Sequence, residues 1–88
     1  MTRVVVHRRV ARYLQKLPKS RREAVKAGLA ELSRGAVPPP DAKMMLGEWK
    51  GYYRLRFGDL RVLFWFDRDA ATVYVDHVGP RGDVYKGP

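Results

Sequence analysis

An α+β domain is predicted for this chain. It has an N-terminal strand, an αα-hairpin, and an antiparallel β-meander forming one sheet with the helices on one face. Three observations carry that prediction. Apolar residues open in a short run, Val4-Val5-Val6. From Arg8 to Arg34 they recur at helical spacing. From Tyr52 onward they alternate with period two between turn signals.

The elements follow in order. Val4-Val5-Val6 reads as a strand bounded by basic residues. Val10, Tyr13, Leu14 and Leu17 fit the i, i+3, i+4, i+7 stripe of an amphipathic helix over Arg8–Leu17. Pro18 stops it, because the residue before a proline avoids the α region. A second helix is expected over Ser20–Arg34. Ser20-Arg21-Arg22-Glu23 matches a capping box, and Gly35 is placed to cap the far end. Its stripe is Val25, Leu29 and Leu32, with Ala24 and Gly28 alongside.

Val37-Pro38-Pro39-Pro40-Asp41 is a stiff, extended connector. Lys43-Met44-Met45-Leu46 is a short strand or an edge segment, and Gly47-Glu48-Trp49-Lys50-Gly51 a turn. Two strands then flank the turn signal Gly58-Asp59, over about Tyr52–Phe57 and Leu60–Phe66. Asp67-Arg68-Asp69-Ala70-Ala71 turns into a last strand, Thr72–Val78, rich in β-branched residues. Gly79-Pro80 is expected to end it.

The Gly58-Asp59 turn sets Phe57 opposite Leu60, Arg56 opposite Arg61, Leu55 opposite Val62 and Tyr53 opposite Phe64. One hairpin face is then apolar: Tyr53, Leu55, Phe57, Leu60, Val62 and Phe64. The other carries Arg54, Arg56 and Arg61. Two arginines directly opposite each other cost stability unless an anion relieves them. The apolar face should sit under the helices and the arginine face should stay open.

With 88 residues, the chain makes a single domain, 1–88, with a modest core. Its formal net charge of +9 favours an anionic partner. Cysteine is absent, which removes thiol catalysis and cysteine-based zinc sites. It also fits a cytoplasmic protein, since small secreted domains tend to need disulfides. No run is long enough to span a bilayer, and the apolar run near the N-terminus is too short for a signal-peptide core. No metal-ligand spacing or phosphate-binding glycine loop is present, so no cofactor is expected. The high charge and scarcity of amides fit either a thermophile protein or a GC-rich genome.

Arginine forks suit phosphate oxygens. A Gly-Pro bend would bring Arg81 over the same face, and Tyr85 would be within reach if the tail folds back. Arginines around a tyrosine hydroxyl suggest cleavage of an RNA backbone by its own 2′-hydroxyl. The arginines would stabilise the phosphorane-like transition state. Tyr85 would take the 2′-hydroxyl proton if nearby cations lower its pKa from roughly 10. Arginine is a poor donor for the departing 5′ oxygen, its pKa exceeding about 12. Trp49, Tyr52 and Trp65 are either base-stacking or packing residues. His7 and His77 are either a nuclease pair or structural.

The stretches YRLRFGDLRVLF and VGPRGDVY resemble the core motifs of the RelE toxins in the RelE/ParE superfamily. The order of elements agrees, so the resemblance covers nearly the whole chain and implies a RelE-like fold. It implies a toxin of a type II toxin–antitoxin pair, a ribosome-dependent endoribonuclease that cuts mRNA in the A site. It also implies a cognate antitoxin and a toxin–antitoxin hetero-oligomer.

On the matching positions, Arg54 and Arg56 fall where the family has basic residues on the first hairpin strand. Arg61 matches the basic residue of the second strand. Arg81 matches the arginine after the last strand, and Tyr85 the C-terminal catalytic tyrosine. Arg54 and Arg56, with Lys43, Lys50 and Lys86, are the expected RNA contacts. Where relatives have lysine this chain has arginine, which keeps the electrostatic role and removes proton exchange. Two rival readings fit the same residues: a ParE-like inhibitor of DNA gyrase, and a non-catalytic basic module that binds RNA or the ribosome.

Overall fold

A computed structural model describes residues 2–80. Five strands form one sheet in the order β1-β5-β4-β3-β2. They are β1 (Arg3–Val6), β2 (Lys43–Met44), β3 (Tyr53–Phe57), β4 (Leu60–Asp67) and β5 (Thr72–Pro80). Two helices, α1 (Arg8–Gln15) and α2 (Lys19–Arg34), lie between β1 and β2 in the chain. The α+β architecture expected from the sequence is the one observed. Its first strand pairs parallel with its last, Arg3 beside Thr72 and Val6 beside Val75.

The helices cover one sheet face. Val10 and Leu14 of α1 and Val25 and Leu32 of α2 are buried against Leu55, Leu60, Val62, Phe64, Val73 and Val75. Leu17 and Leu29 pack against this core but are only partly buried. Gly28 allows close approach: a Cβ there would lie 2.5 Å from Phe57 Cε1.

The helix ends depart from expectation. His7 caps α1, its Nδ1 accepting from the Arg9 backbone N–H at 3.0 Å. The helix stops at Gln15, and its last turn tightens through Leu17 N–H to Leu14 O at 3.1 Å. The Ser20–Glu23 capping box does not form. Helix α2 begins at Lys19 with Pro18 as its N-cap and no side-chain cap bond. Ser20 is therefore already inside the first turn, two positions past the N-cap, where its hydroxyl cannot cap. Gly35 does end α2, its N–H donating to Glu31 O at 2.9 Å. Its φ of −96° is extended, so it does not form the left-handed cap usual for glycine.

The hairpin register is the expected one, from Phe57 opposite Leu60 to Tyr53 opposite Phe64. Gly58 has φ +64° and Asp59 stays at negative φ, which fits a type II′ turn. Arg21 of α2 pairs with Asp59 at 2.5 Å and ties the hairpin tip to the helix.

Strand β5 does not stop at Val78: it includes Gly79 and Pro80. Gly79 faces Arg61 and Pro80 faces Leu60. Because β1 reaches only from Thr72 to Val75, the far end of β5 is a sheet edge, where proline is tolerated. The strand also carries a bulge. Leu63 faces His77 but Phe64 faces Val75, leaving Asp76 as the extra residue. That step lets Val73, Val75 and Val78 all point to the helices although their spacing breaks period two.

A basic cleft and an aromatic rim on the open face of the sheet

The face away from the helices holds the polar residues of the hairpin. Arg56 stands opposite Arg61, and Lys43 of the edge strand stands opposite Arg54. Alternation along each strand puts all four side chains on this face. With Asp41 from the connector, they line one cleft of about 420 Å³. Arg54 and Arg61 are half-buried, and Arg56 and Lys43 are exposed. Among the described residues the cleft thus gathers four cationic side chains and the connector carboxylate Asp41, a lining suited to a phosphate.

Leu63 lies on this same face, opposite Arg54, and is fully buried. It belongs outside the helix-covered core and gives the arginine side an apolar floor. The period-two pattern carried that signal, since Leu63 falls in phase with Arg61 rather than Val62.

Beside the cleft, His77 packs edge-on against Trp49, with ring centroids 4.7 Å apart. Partial burial and the nearby Arg9 guanidinium lower the His77 pKa from its ordinary value. Trp49 also meets Tyr52 edge-on at 5.3 Å. The Tyr52 hydroxyl donates to Asp76 Oδ2 at 2.6 Å. That bond to a carboxylate, reinforced by desolvation, pushes the Tyr52 pKa up to about 12. Trp65 stacks on Tyr74, with centroids 4.5 Å apart and planes 16° from parallel.

The expected site residues therefore divide. Arg54, Arg56, Arg61 and Lys43 meet in one cleft. Lys50 lies apart from them, in a second cleft with Gly51, Tyr52 and Trp65. Arg81, Tyr85 and Lys86 lie outside the described residues. His7 serves as a helix cap, and His77 as an aromatic packing partner. Sequence reasoning missed Asp41 and Asp76. Asp41 reaches the cleft through the connector, and Asp76 meets Tyr52 only because of the bulge. Among the described residues no group of three His, Cys, Asp or Glu side chains is placed to hold a metal. No described helix is long and apolar enough to cross a membrane.

A two-helix layer on a five-stranded mixed sheet is the fold of the RelE/ParE toxin superfamily. The chain belongs to the family described as ParE toxin of type II toxin–antitoxin system, whose sequence model matches residues 4–85. It is a toxin of that superfamily. It is similar to a chain of the archaeal RelE–RelB complex from Pyrococcus horikoshii, with 29% identity and a TM-score of 0.79. That match covers 93% of this chain and 97% of the other. A chain of the toxin–antitoxin complex RelBE2 from Mycobacterium tuberculosis matches at 26% identity and a TM-score of 0.68, covering 91% and 98%. The isolated Escherichia coli RelE toxin shares the fold at 20% identity and a TM-score of 0.75, covering 97% and 92%. No curated protein sequence matches the chain significantly.

Proposed function

We propose that this toxin is a ribosome-dependent mRNA endoribonuclease of RelE type. The observation that carries the reading is the cleft itself. Arg56 and Arg61 stand directly opposite each other, with Arg54 and Lys43 alongside. Guanidinium forks and an ammonium gathered in one cleft offer several charged donors to the oxygens of a single phosphate.

In the proposed reaction the 2′-oxygen of RNA attacks the adjacent phosphorus. A 2′,3′-cyclic phosphate forms and the bond from phosphorus to the 5′ oxygen breaks. Arg54, Arg56, Arg61 and Arg81 stabilise the charge gathering on the phosphoryl oxygens. Tyr85 accepts the 2′-hydroxyl proton, helped by the same cations. The departing 5′ oxygen takes a proton from water, since arginine does not give one up. The ribosome positions the strand and supplies the distortion that in-line attack requires.

We propose further that a cognate antitoxin with an acidic segment covers this face, forming a hetero-oligomer by charge complementarity with a chain of net charge +9. The similar chains of the Pyrococcus and Mycobacterium toxins, both from toxin–antitoxin complexes, support a partner of that kind.

The description of the matched family favours a second reading, a gyrase inhibitor. One pair of assays separates them. Ribosomes programmed with a defined mRNA are incubated with the toxin, and new RNA ends are mapped. The nuclease reading expects cuts in the A-site codon that leave a cyclic phosphate. Intact mRNA together with blocked supercoiling by gyrase overturns it.

A further inference from the structure

The open face continues beyond the arginines. Trp65 follows Arg61 by four residues on β4, on the same face and about 13 Å farther along at the rise of a strand. Its indole is backed on one side by Tyr74 in a parallel stack. Trp65, Tyr52, Gly51 and Lys50 line a shallow cleft of about 240 Å³. Tyr52 is fixed there by its bond to Asp76 and by the edge of Trp49. Gly51 has φ +97° and no Cβ, which leaves the floor between the two rings open.

This cleft differs in kind from the arginine cleft. Its lining includes two aromatic rings, and its charge is one exposed ammonium. It offers a planar base aromatic surface and offers a neighbouring phosphate one cation. Stacking of that kind accepts any base, because every base has a π face. A pair of half-buried aromatics on the face opposite the helices adds nothing to the core described above.

We propose that the cleft between Tyr52 and Trp65 is a stacking subsite for one base of a single-stranded RNA. Lys50 meets a phosphate of the same strand. Phosphates lie on Arg54, Arg56 and Arg61, and a base a few nucleotides farther along the same sheet face enters beside Trp65. The strand's direction across the sheet rests on the nuclease reading, whereas the stacking itself does not.

The test uses the full chain and a single-stranded oligoribonucleotide made uncleavable by 2′-O-methyl groups. Trp49→Phe leaves Trp65 as the sole indole, so quenching of emission on RNA addition reports stacking there. Trp65→Leu should weaken binding about 5- to 150-fold, with Trp65→Phe recovering most of it. Circular dichroism checks the fold of each variant. A scan with abasic nucleotides needs no variant: one position should reproduce the Trp65→Leu loss, and the two together should add little more. If Trp65→Leu and every abasic substitution leave binding unchanged while the parent cleaves ribosome-bound mRNA, the subsite is wrong and the nuclease reading stands. If Trp49→Phe quenches on the oligonucleotide but the parent cuts nothing, the subsite survives and the nuclease reading falls. If Trp65 emission responds to an antitoxin and not to RNA, this face belongs to a protein partner and the proposal is overturned.

Discussion

The Tyr52 hydroxyl donates a 2.6 Å hydrogen bond to Asp76, joining the residue that enters the hairpin to the bulge of the last strand. Two consequences are measurable. Tyr52→Phe should cost about 1–2 kcal/mol in urea unfolding at neutral pH, since it removes a bond to a carboxylate. The phenol's folded pKa of about 12 stands above its ordinary value of 10, so the bond's contribution is complete below about pH 10. It is lost as pH rises through 12. Ultraviolet titration should show Tyr52 ionising in that upper range, and Tyr52→Phe should remove that step. An unchanged titration curve would show that the bond is absent in solution.

Gly28 sets the distance between α2 and the hairpin. Alanine in a helix is favoured over glycine by about 1 kcal/mol. Here its methyl group would meet Phe57 ring carbons at 2.5–2.7 Å. Gly28→Ala should therefore destabilise, by about 1–3 kcal/mol as for other overpacked contacts. In a Phe57→Leu background the same change should become neutral or favourable. A double-mutant cycle in urea checks this, and additive effects would mean that the two residues do not confront each other.

The helical stripe is not uniform in energy. Leu32 is 2% exposed, whereas Leu29 is only partly buried at the core's edge. Leu32→Ala should cost about 2–5 kcal/mol and Leu29→Ala clearly less. Equal losses in chemical denaturation would place Leu29 deeper than the structure does.

These contrasts mark what could be read from the chain. Period two around Gly58-Asp59 was enough to set Arg56 opposite Arg61, because a two-residue turn fixes register and register fixes faces. The helical stripe likewise told which face of the hairpin would be covered. The bulge at Asp76 was less visible, since an extra residue leaves only a slipped valine, Val78, in the pattern. Capping failed for a similar reason. Ser20 and Glu23 have the right spacing, but Pro18 starts the helix early and takes the cap position. Lys43 and Asp41 joined the cleft through the connector's path, which no local pattern encodes. Conversely, Lys50 is close to Arg54 in sequence yet faces another cleft, because the turn at Gly47–Trp49 and Gly51 carries it past the strand.

The arginine cleft gives the decisive prediction about catalysis. Tyr85→Phe keeps the ring and removes the hydroxyl proposed as base. It should preserve stability and ribosome association while slowing single-turnover cleavage by about 10²–10⁴-fold. Arg61→Ala should slow cleavage too, by removing charge from the transition state. Arg56→Ala should also weaken RNA binding, because its exposed fork meets phosphate in the ground state as well. That binding loss should shrink as salt rises, since released counterions supply much of the affinity. Arg34→Ala is the control: Arg34 pairs with Glu31 at 3.0 Å on exposed helix surface and does not line the cleft. Its removal should leave the rate unaltered. Cleavage of ribosome-bound mRNA at the parental rate by Tyr85→Phe would make that tyrosine a bystander. Parental rates in both Arg61→Ala and Arg56→Ala would remove the cleft from the reaction altogether.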